Sequence, residues 1–258
     1  NNNKRNLFYL HLSKIKKTFM ETMYDTLLQL PLFQGLCHND FTEILEKVKI
    51  HFAKYQAGDT ILTQGDVCDK LVFLVKGKIS SNTISADKVY TYIEYIEAPY
   101  LIEPHSLFGM EVAYNSTYMA EGEVNIISID KPFVLEELSK YEIFRINYLN
   151  IISSRAQLYY KRTWESSVKN VAQQILDFIV MRSEKIMGEK LLKIRMEDFA
   201  EYIDETRLSV SKELRKFEEV GLLTIGRGTI QIFDLEKLVL WVEEHKDKIE
   251  LFYLPSYS

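Results

Sequence analysis

Apolar residues change their spacing several times along the chain, and each change marks a different kind of element. From about 14 to 30 they recur at helical intervals, and Asn39 and Asp40 then offer an N-cap before Phe41, Ile44, Leu45 and Val48, which repeat at three and four. After His51 the period shortens. The stretch FAKYQAGDTILTQGDVCDKLVFLVKGKIS has short β-rich runs broken by Gly58-Asp59, Gly65-Asp66 and Lys76-Gly77-Lys78, which predict turns. The pattern continues through VYTYIEYI and VNIISID to about residue 130. Many short, evenly spaced strands predict an antiparallel barrel or a jelly-roll-like β-roll, flanked by helices.

From 141 to 165 neither Gly nor Pro interrupts a clear helical period. This long helix carries two apolar stripes about 100° apart. Leu149, Ile152, Ala156, Tyr159 and Thr163 follow the spacing of a coiled-coil seam, while Phe144, Tyr148, Ile151 and Leu158 form the neighbouring stripe. Either both stripes face one core, or one covers the roll and the other meets the same helix of a second subunit. The chain thus divides into an N-terminal roll (1–140), a long helix (141–166) and a C-terminal part (167–258), an α+β protein.

Within the C-terminal part the pattern predicts an amphipathic helix over 167–187, with Val171, Ile175, Phe178 and Ile179 on one face. A strand (191–195), a short helix (197–203), a second helix within DETRLSVSKELRKFEEVGLL (204–223) and a hairpin turning at Gly226-Arg227-Gly228 follow, with a final helix in the tail. Helix, tight turn, helix and hairpin make the layout of a winged helix-turn-helix. In its second helix Thr206 can cap the first turn, and Val210, Leu214 and Phe217 cluster on one side. Leu208, Lys212 and Arg215 fall opposite, Ser211 and Lys216 lie on the flanks, and Arg207 stands in the first turn. Lysine and arginine neutralise phosphates, and an arginine near a helix N-terminus reaches guanine O6 and N7. A charged outer face is also what any solvated helix shows, and Glu197, Asp198, Glu201, Asp204 and Glu205 nearby weaken a purely electrostatic argument.

Composition narrows the classes. With 47% hydrophobic and 27% charged residues, five prolines and ten glycines, the chain reads as folded and globular. A net charge of −5 offers no global attraction to nucleic acid, so any DNA-binding surface has to be local. Cys37 and Cys68 belong to no CxxC pair and read as free thiols. No apolar run approaches the ~18 residues of a membrane span and no secretory signal is visible, which makes the cytoplasm the expected compartment. The start, Asn1-Asn2-Asn3 without methionine, is expected to be trimmed or incomplete and frayed. No Walker loop, GxSxG, HExxH or paired metal-ligand spacing is present, so an enzyme is not expected and no catalytic or metal site is assigned.

Taken together, YIDETRLSVSKELRKFEEVGLL resembles the helix-turn-helix of the Crp/Fnr family of bacterial transcription regulators, with Thr206, Arg207, Val210, Lys212, Leu214 and Glu218 at the matching positions. LLQLPLFQGL is similar to that family's entry segment, and AGDTILTQGDVCDKLVFLVKGKIS to its β-roll signature, so the resemblance runs in order from about 27 to 235. It implies a homodimer, joined through the stripe of Leu149, Ile152, Ala156 and Tyr159, that sets two recognition helices in successive major grooves of a near-palindromic double-stranded site. It implies that Arg207 reads a guanine, that Thr206 and Ser209 hold phosphates or base edges, and that Lys212 touches backbone or base. Ser211 belongs to the same face, and Arg227 at the hairpin tip is the expected phosphate contact of the wing. An activator of this type would also meet RNA polymerase. Leu208 departs from the nucleotide-responsive members, which carry a glutamate there.

The signal is less determined. Cyclic-nucleotide-binding members hold ribose with a Gly-Glu pair and the cyclic phosphate with Arg-Ser. Here the matching stretch, 106–128, has Gly109 and a displaced Glu111 but no arginine or lysine, so cyclic AMP is not expected. Nor is an iron-sulfur cluster, which takes four cysteines. A haem stays open, with His51, His105, Met110 and the cysteines as candidate ligands. A pocket for a small aromatic or apolar effector would draw on Tyr92, Leu107, Gly109, Met110, Glu111 and Tyr118, although this stretch also reads as roll core and a regulator without an effector fits as well. The reading from another class is a β-roll module that governs a protein partner and uses its helix-turn-helix only for packing.

Overall fold

The computed structural model describes residues 25–47, 49–164 and 169–245. Of the helix expected over 14 to 30, residues 25–28 are helical and those before 25 lie outside the described residues. A one-turn 3-10 helix, Pro31–Phe33, buries Leu32 and Phe33, and α1 follows at His38–Lys47. Asn39 and Asp40 lie inside its first turn rather than ahead of it, because the helix ladder is already drawn back to Cys37, whose carbonyl accepts from Phe41 N.

Among the described residues eight strands build the roll: β1 (Ile50–Tyr55), β2 (Thr60–Leu62), β3 (Lys70–Lys76), β4 (Lys78–Ile84), β5 (Thr91–Glu97), β6 (Tyr100–Ile102), β7 (Thr117–Ala120) and β8 (Val124–Asp130). One antiparallel sheet has the order β1-β8-β3-β6, and β2, β7, β4 and β5 line up in the other. The run LVFL in β3 is buried on both faces, and its alternation explains why. Leu71 and Phe73 join Leu32, Phe33, Phe41 and Phe144 in a core beneath the helices, whereas Val72 and Leu74 join Ile79, Ile96, Tyr118 and Ile126 inside the roll. Each such side chain contributes roughly 1.5–3 kcal/mol by leaving water.

After α2 (Lys131–Glu136) the long helix α3 runs from Glu142 to Trp164. Phe144 is buried, and Tyr148 and Ile151 pack on the same core, so this stripe covers the roll. Leu158, at the far end of the stripe, is exposed.

The next helix, α4, is Val171–Val180, far shorter than the 167–187 expected from the apolar pattern. Asn170 starts it with a capping box, its side chain accepting from Gln173 N. Beyond Val180 the amides of Met181, Arg182 and Ser183 still donate back to Asp177, Ile179 and Val180, and the next one leaves the ladder: Glu184 N donates to both oxygens of Glu94, at 3.1 and 2.9 Å. Then come β9 (Lys190–Lys193), α5 (Met196–Tyr202), α6 (Arg207–Glu219), β10 (Leu223–Gly226), β11 (Thr229–Ile232) and α7 (Leu235–Glu244). Leu235, Leu238 and Val242 of α7 are fully buried, so the tail helix is docked.

The two halves share one sheet. Its order is β10-β11-β9-β5-β4-β7-β2, all antiparallel, so the hairpin of the C-terminal part continues the roll through the pairing of β9 with β5. In that pairing Thr91, Tyr92, Ile93 and Glu94 face Lys193, Leu192, Leu191 and Lys190. Tyr92 consequently belongs to the core of the C-terminal part, beside Ile179, Leu192 and Phe199.

Candidate nucleic-acid interface

The helix-turn-helix is set by short-range geometry. Asp204 takes a left-handed conformation (φ 54) in the turn between α5 and α6, a state a short polar side chain tolerates. Thr206 then caps α6, its Oγ1 accepting from Ser209 N at 3.1 Å. Val210, Leu214 and Phe217 are fully buried, anchoring α6 against α4 and α7. At the far end Gly221 (φ 76) closes a Schellman motif: Leu222 N donates to Phe217 O and Gly221 N to Glu218 O, both at 2.9 Å. Glu218 also reaches forward, its Oε1 accepting from Ile225 N at 2.8 Å, which ties the recognition helix to the wing.

With that face fixed inward, the opposite one is held outward. Leu208 is 80% exposed, and Arg207, Lys212 and Arg215 are exposed around it. Thr206 and Ser209 stand at the helix start with their hydroxyls 2.8 Å apart, engaged in the cap. Arg207 lies 3.1 Å from Glu197 of the preceding helix in a solvent-exposed pair, a contact worth little in water and readily exchanged for a phosphate or a base. The wing turns through Arg227 and Gly228, the latter at φ 73. Between wing and α6 lies a cleft of about 540 Å³ lined by Arg195, Glu197, Arg207, Ser211, Arg227 and Thr229. The structure therefore brings Arg207, Ser211 and Arg227 to one groove, with Leu208 and Lys212 on the adjoining helix face. Arg195 escaped the sequence pattern; it is held by a two-pronged pair to Asp198, at 2.6 and 2.7 Å, and its i, i+3 spacing from that residue was the available signal.

The residues proposed for an effector pocket are not gathered. Tyr92 lies in the C-terminal core with its hydroxyl 2.6 Å from that of Ser183, Leu107 is buried under the helices, and Tyr118 is buried inside the roll. Met110 and Glu111 are exposed, and Gly109 alone of the six lines an apolar cavity beside the long helix. That cavity, about 540 Å³, lies between roll and long helix against Phe108, Val134, Leu135, Phe144, Tyr148 and Ile152. Tyr92 and Tyr118 lie on strands and face different cores, and the other four belong to the connection between β6 and β7.

Haem ligands are not assembled either. His51 Nε2 is 2.9 Å from Asp130, and His105, on the cavity wall, has both ring nitrogens engaged, Nδ1 by Arg155 and Nε2 by Asn115. Met110 is fully exposed and Cys68 buried, and among the described residues no three His, Cys, Asp or Glu gather as a metal site. Arg155 also pairs with Glu184, so one side chain of the long helix joins the roll to the segment after α4.

On the long helix, Leu149 is 63% and Tyr159 43% exposed, Ala156 is exposed and Ile152 partly so, whereas Thr163 falls among the side chains outside the described ones. Among the described residues no helix is long and apolar enough to cross a membrane.

Two domain families match the chain in this order: the cyclic nucleotide-binding domain at residues 52–141 and the Crp-like helix-turn-helix domain at 171–241. No curated protein matches. Solved structures with a similar arrangement include the catabolite activator protein of Thermus thermophilus, at 19% identity over 81% of this chain and 97% of that one, TM-score 0.46. The N-terminal domain of a transcriptional regulator from Streptomyces coelicolor A3(2) is 20% identical over 58% of this chain and 99% of that one, TM-score 0.45. The c-di-GMP responsive global regulator CLP of Xanthomonas campestris is 15% identical over 74% and 99%, TM-score 0.44. The two domain families together span more than half of the chain, in the order expected from the roll signature and the recognition helix. The chain belongs to the Crp/Fnr type of DNA-binding transcription regulator.

Proposed function

We propose that this regulator works as a homodimer on a near-palindromic duplex site, with Arg207, Leu208, Ser211 and Lys212 of each recognition helix entering the major groove and Arg227 of each wing on the flanking phosphates. The observation that carries the reading is the shared cleft: α6 and the wing present Arg207 and Arg227 to one groove while Leu208 stands free between Arg207 and Lys212. Arginine on guanine and leucine on a thymine methyl are complementary contacts on neighbouring base edges. Thr206 and Ser209 hold the helix start, where backbone amides and hydroxyls favour a phosphate.

The outward stripe of Leu149, Ile152, Ala156 and Tyr159 supports the second copy, since an isologous contact pairs this stripe with itself about a two-fold axis. The space available to an effector is apolar, the cavity between roll and long helix, which favours a small apolar molecule over a cyclic nucleotide. The work is regulatory rather than catalytic and belongs in the cytoplasm, where the DNA is.

Selection of bound duplexes from a randomised pool, followed by native mass of the complex, tests this. The expected product is two chains per duplex on inverted half-sites about 10–10.5 base pairs apart, centre to centre. One chain per duplex, or a pool without enrichment, overturns it and returns the module that acts on a protein partner.

A further inference from the structure

Glu103 is an oddity of the roll. It is 1% exposed, it precedes Pro104, and it has φ 37, a left-handed conformation that glycine takes far more easily than glutamate. Among the described residues no lysine or arginine pairs with it; its carboxylate is satisfied entirely by neutral donors. Oε2 accepts from Ser106 Oγ at 2.7 Å, Asn115 N at 2.8 Å and Asn115 Nδ2 at 3.2 Å. Oε1 accepts from Ser116 N and Tyr118 Oη, both at 3.0 Å. Two successive backbone amides, two hydroxyls and a side-chain amide thus converge on one buried anion.

Such a set of donors is what a protein builds to hold an oxyanion without a cation: adjacent amides form a concave nest, and donors to a charged acceptor make stronger bonds than neutral pairs. Burial, with the Glu103 carboxylate beside it, pushes the Tyr118 phenol well above its ordinary range, so it stays a donor. The seat lies within the matched cyclic nucleotide-binding domain, in the stretch that lacks any lysine or arginine. Backbone strain held at a buried, fully satisfied site calls for a role.

We propose that Glu103 is an internal ligand: its carboxylate occupies an oxyanion seat formed by Ser106, Asn115, Ser116 and Tyr118, and thereby closes the roll to phosphate-bearing effectors. The domain keeps a ligand's worth of donors and fills them from its own chain. Emptying the seat therefore creates a binding site for a small free oxyanion that the wild-type chain lacks. This holds independently of how the chain reads DNA.

The test is chemical rescue in the full chain. Glu103→Gly removes the carboxylate while relaxing the backbone, so a loss of stability reports the orphaned donors rather than strain. Its Tm should fall by roughly 5 °C or more, the scale of several buried hydrogen bonds in a chain of this size. Sodium formate should restore it saturably, sodium chloride of equal ionic strength should not, and wild type should respond to neither formate nor inorganic phosphate beyond the chloride control. Equal responses of the variant to formate and chloride, or saturable phosphate binding by wild type, overturn the proposal. Should Glu103→Gly not fold alone, its folded yield in formate against chloride asks the same question, and equal yields count against it. Glu103→Gln is the second variant. Its amide N–H faces donors instead of accepting from them, so it should lose stability comparably, and a Gln variant as stable as wild type contradicts a seat built for an anion.

Discussion

Glu94 of β5 and Lys190 of β9 face each other across the join between the roll and the DNA-binding part, 2.9 Å apart and sealed from solvent. Lys190 Nζ also donates to Met187 O at 3.0 Å, and Glu94 accepts from Glu184 N. The pair therefore sits where the shared sheet passes from one half to the other. Near the hairpin that leads into β5, Tyr90 packs edge-on against Phe178 and Tyr202, the last residue of α5, and Tyr202 Oη donates to Asp87. The orientation of the helix-turn-helix is thus fixed against the roll by strand pairing, a buried ion pair and an aromatic cluster.

Removing one member of a buried pair leaves the other charge without compensation. Lys190→Met is expected to cost about 3–5 kcal/mol in urea unfolding of the full chain. Adding Glu94→Leu should recover only part of that, because the amide of Glu184 then loses its acceptor. A Lys190→Met chain within about 1 kcal/mol of wild type would show that the join is not held this way.

His105 gives the join a pH dependence. Burial first and Arg155 second hold its pKa below the ordinary value, with Glu103 pulling the other way, and a protonated ring would set Nδ1–H against the Arg155 guanidinium. The folded state thus prefers the neutral ring. The stability it supports is complete above about pH 6.5, the value in an unfolded chain, and is lost as the pH falls from there through the lower folded value. Between pH 8 and 5.5 the Tm of wild type should drop more steeply than that of His105→Gln; parallel curves would remove His105 from the account.

These couplings explain which parts were legible in the sequence. Val210, Leu214 and Phe217 lie on one helix, so counting about 100° per residue found both the buried face and the exposed Leu208. The pairing of β5 with β9 joins residues 91–94 to 190–193, and no local pattern announces a partner so distant in the chain. Tyr92 therefore reads as part of a roll pocket, and nothing local tells a helix expected to reach 187 that Glu94 captures the amide of Glu184 before that point. Glu103 gives no signal in the sequence, where a lone glutamate before proline reads as an exposed turn; only the donors brought together from residues 106 to 118 give it meaning.

The side chain of Leu208 has no hydrogen-bonding atom and stands in water on the outer face of α6. Against a base edge it can contribute only apolar contact, best with a thymine methyl. Leu208→Glu supplies an acceptor that suits cytosine N4, so sites selected by the variant should change at one base pair per half-site, toward cytosine, with discrimination on the order of 1–3 kcal/mol. Identical sites for both proteins would place Leu208 away from the bases.

The most direct test of the central claim, that the outer face of α6 reads DNA, is the affinity of Arg207→Ala/Lys212→Ala for the wild-type site, measured across salt concentrations. Loss of a two-pronged guanine contact and of a phosphate contact should weaken binding about 100-fold and reduce the slope of log affinity against log salt by roughly 1. Both substitutions lie on exposed side chains, so the Tm should hardly move. A folded double variant that binds with unchanged affinity and unchanged salt slope would contradict the account.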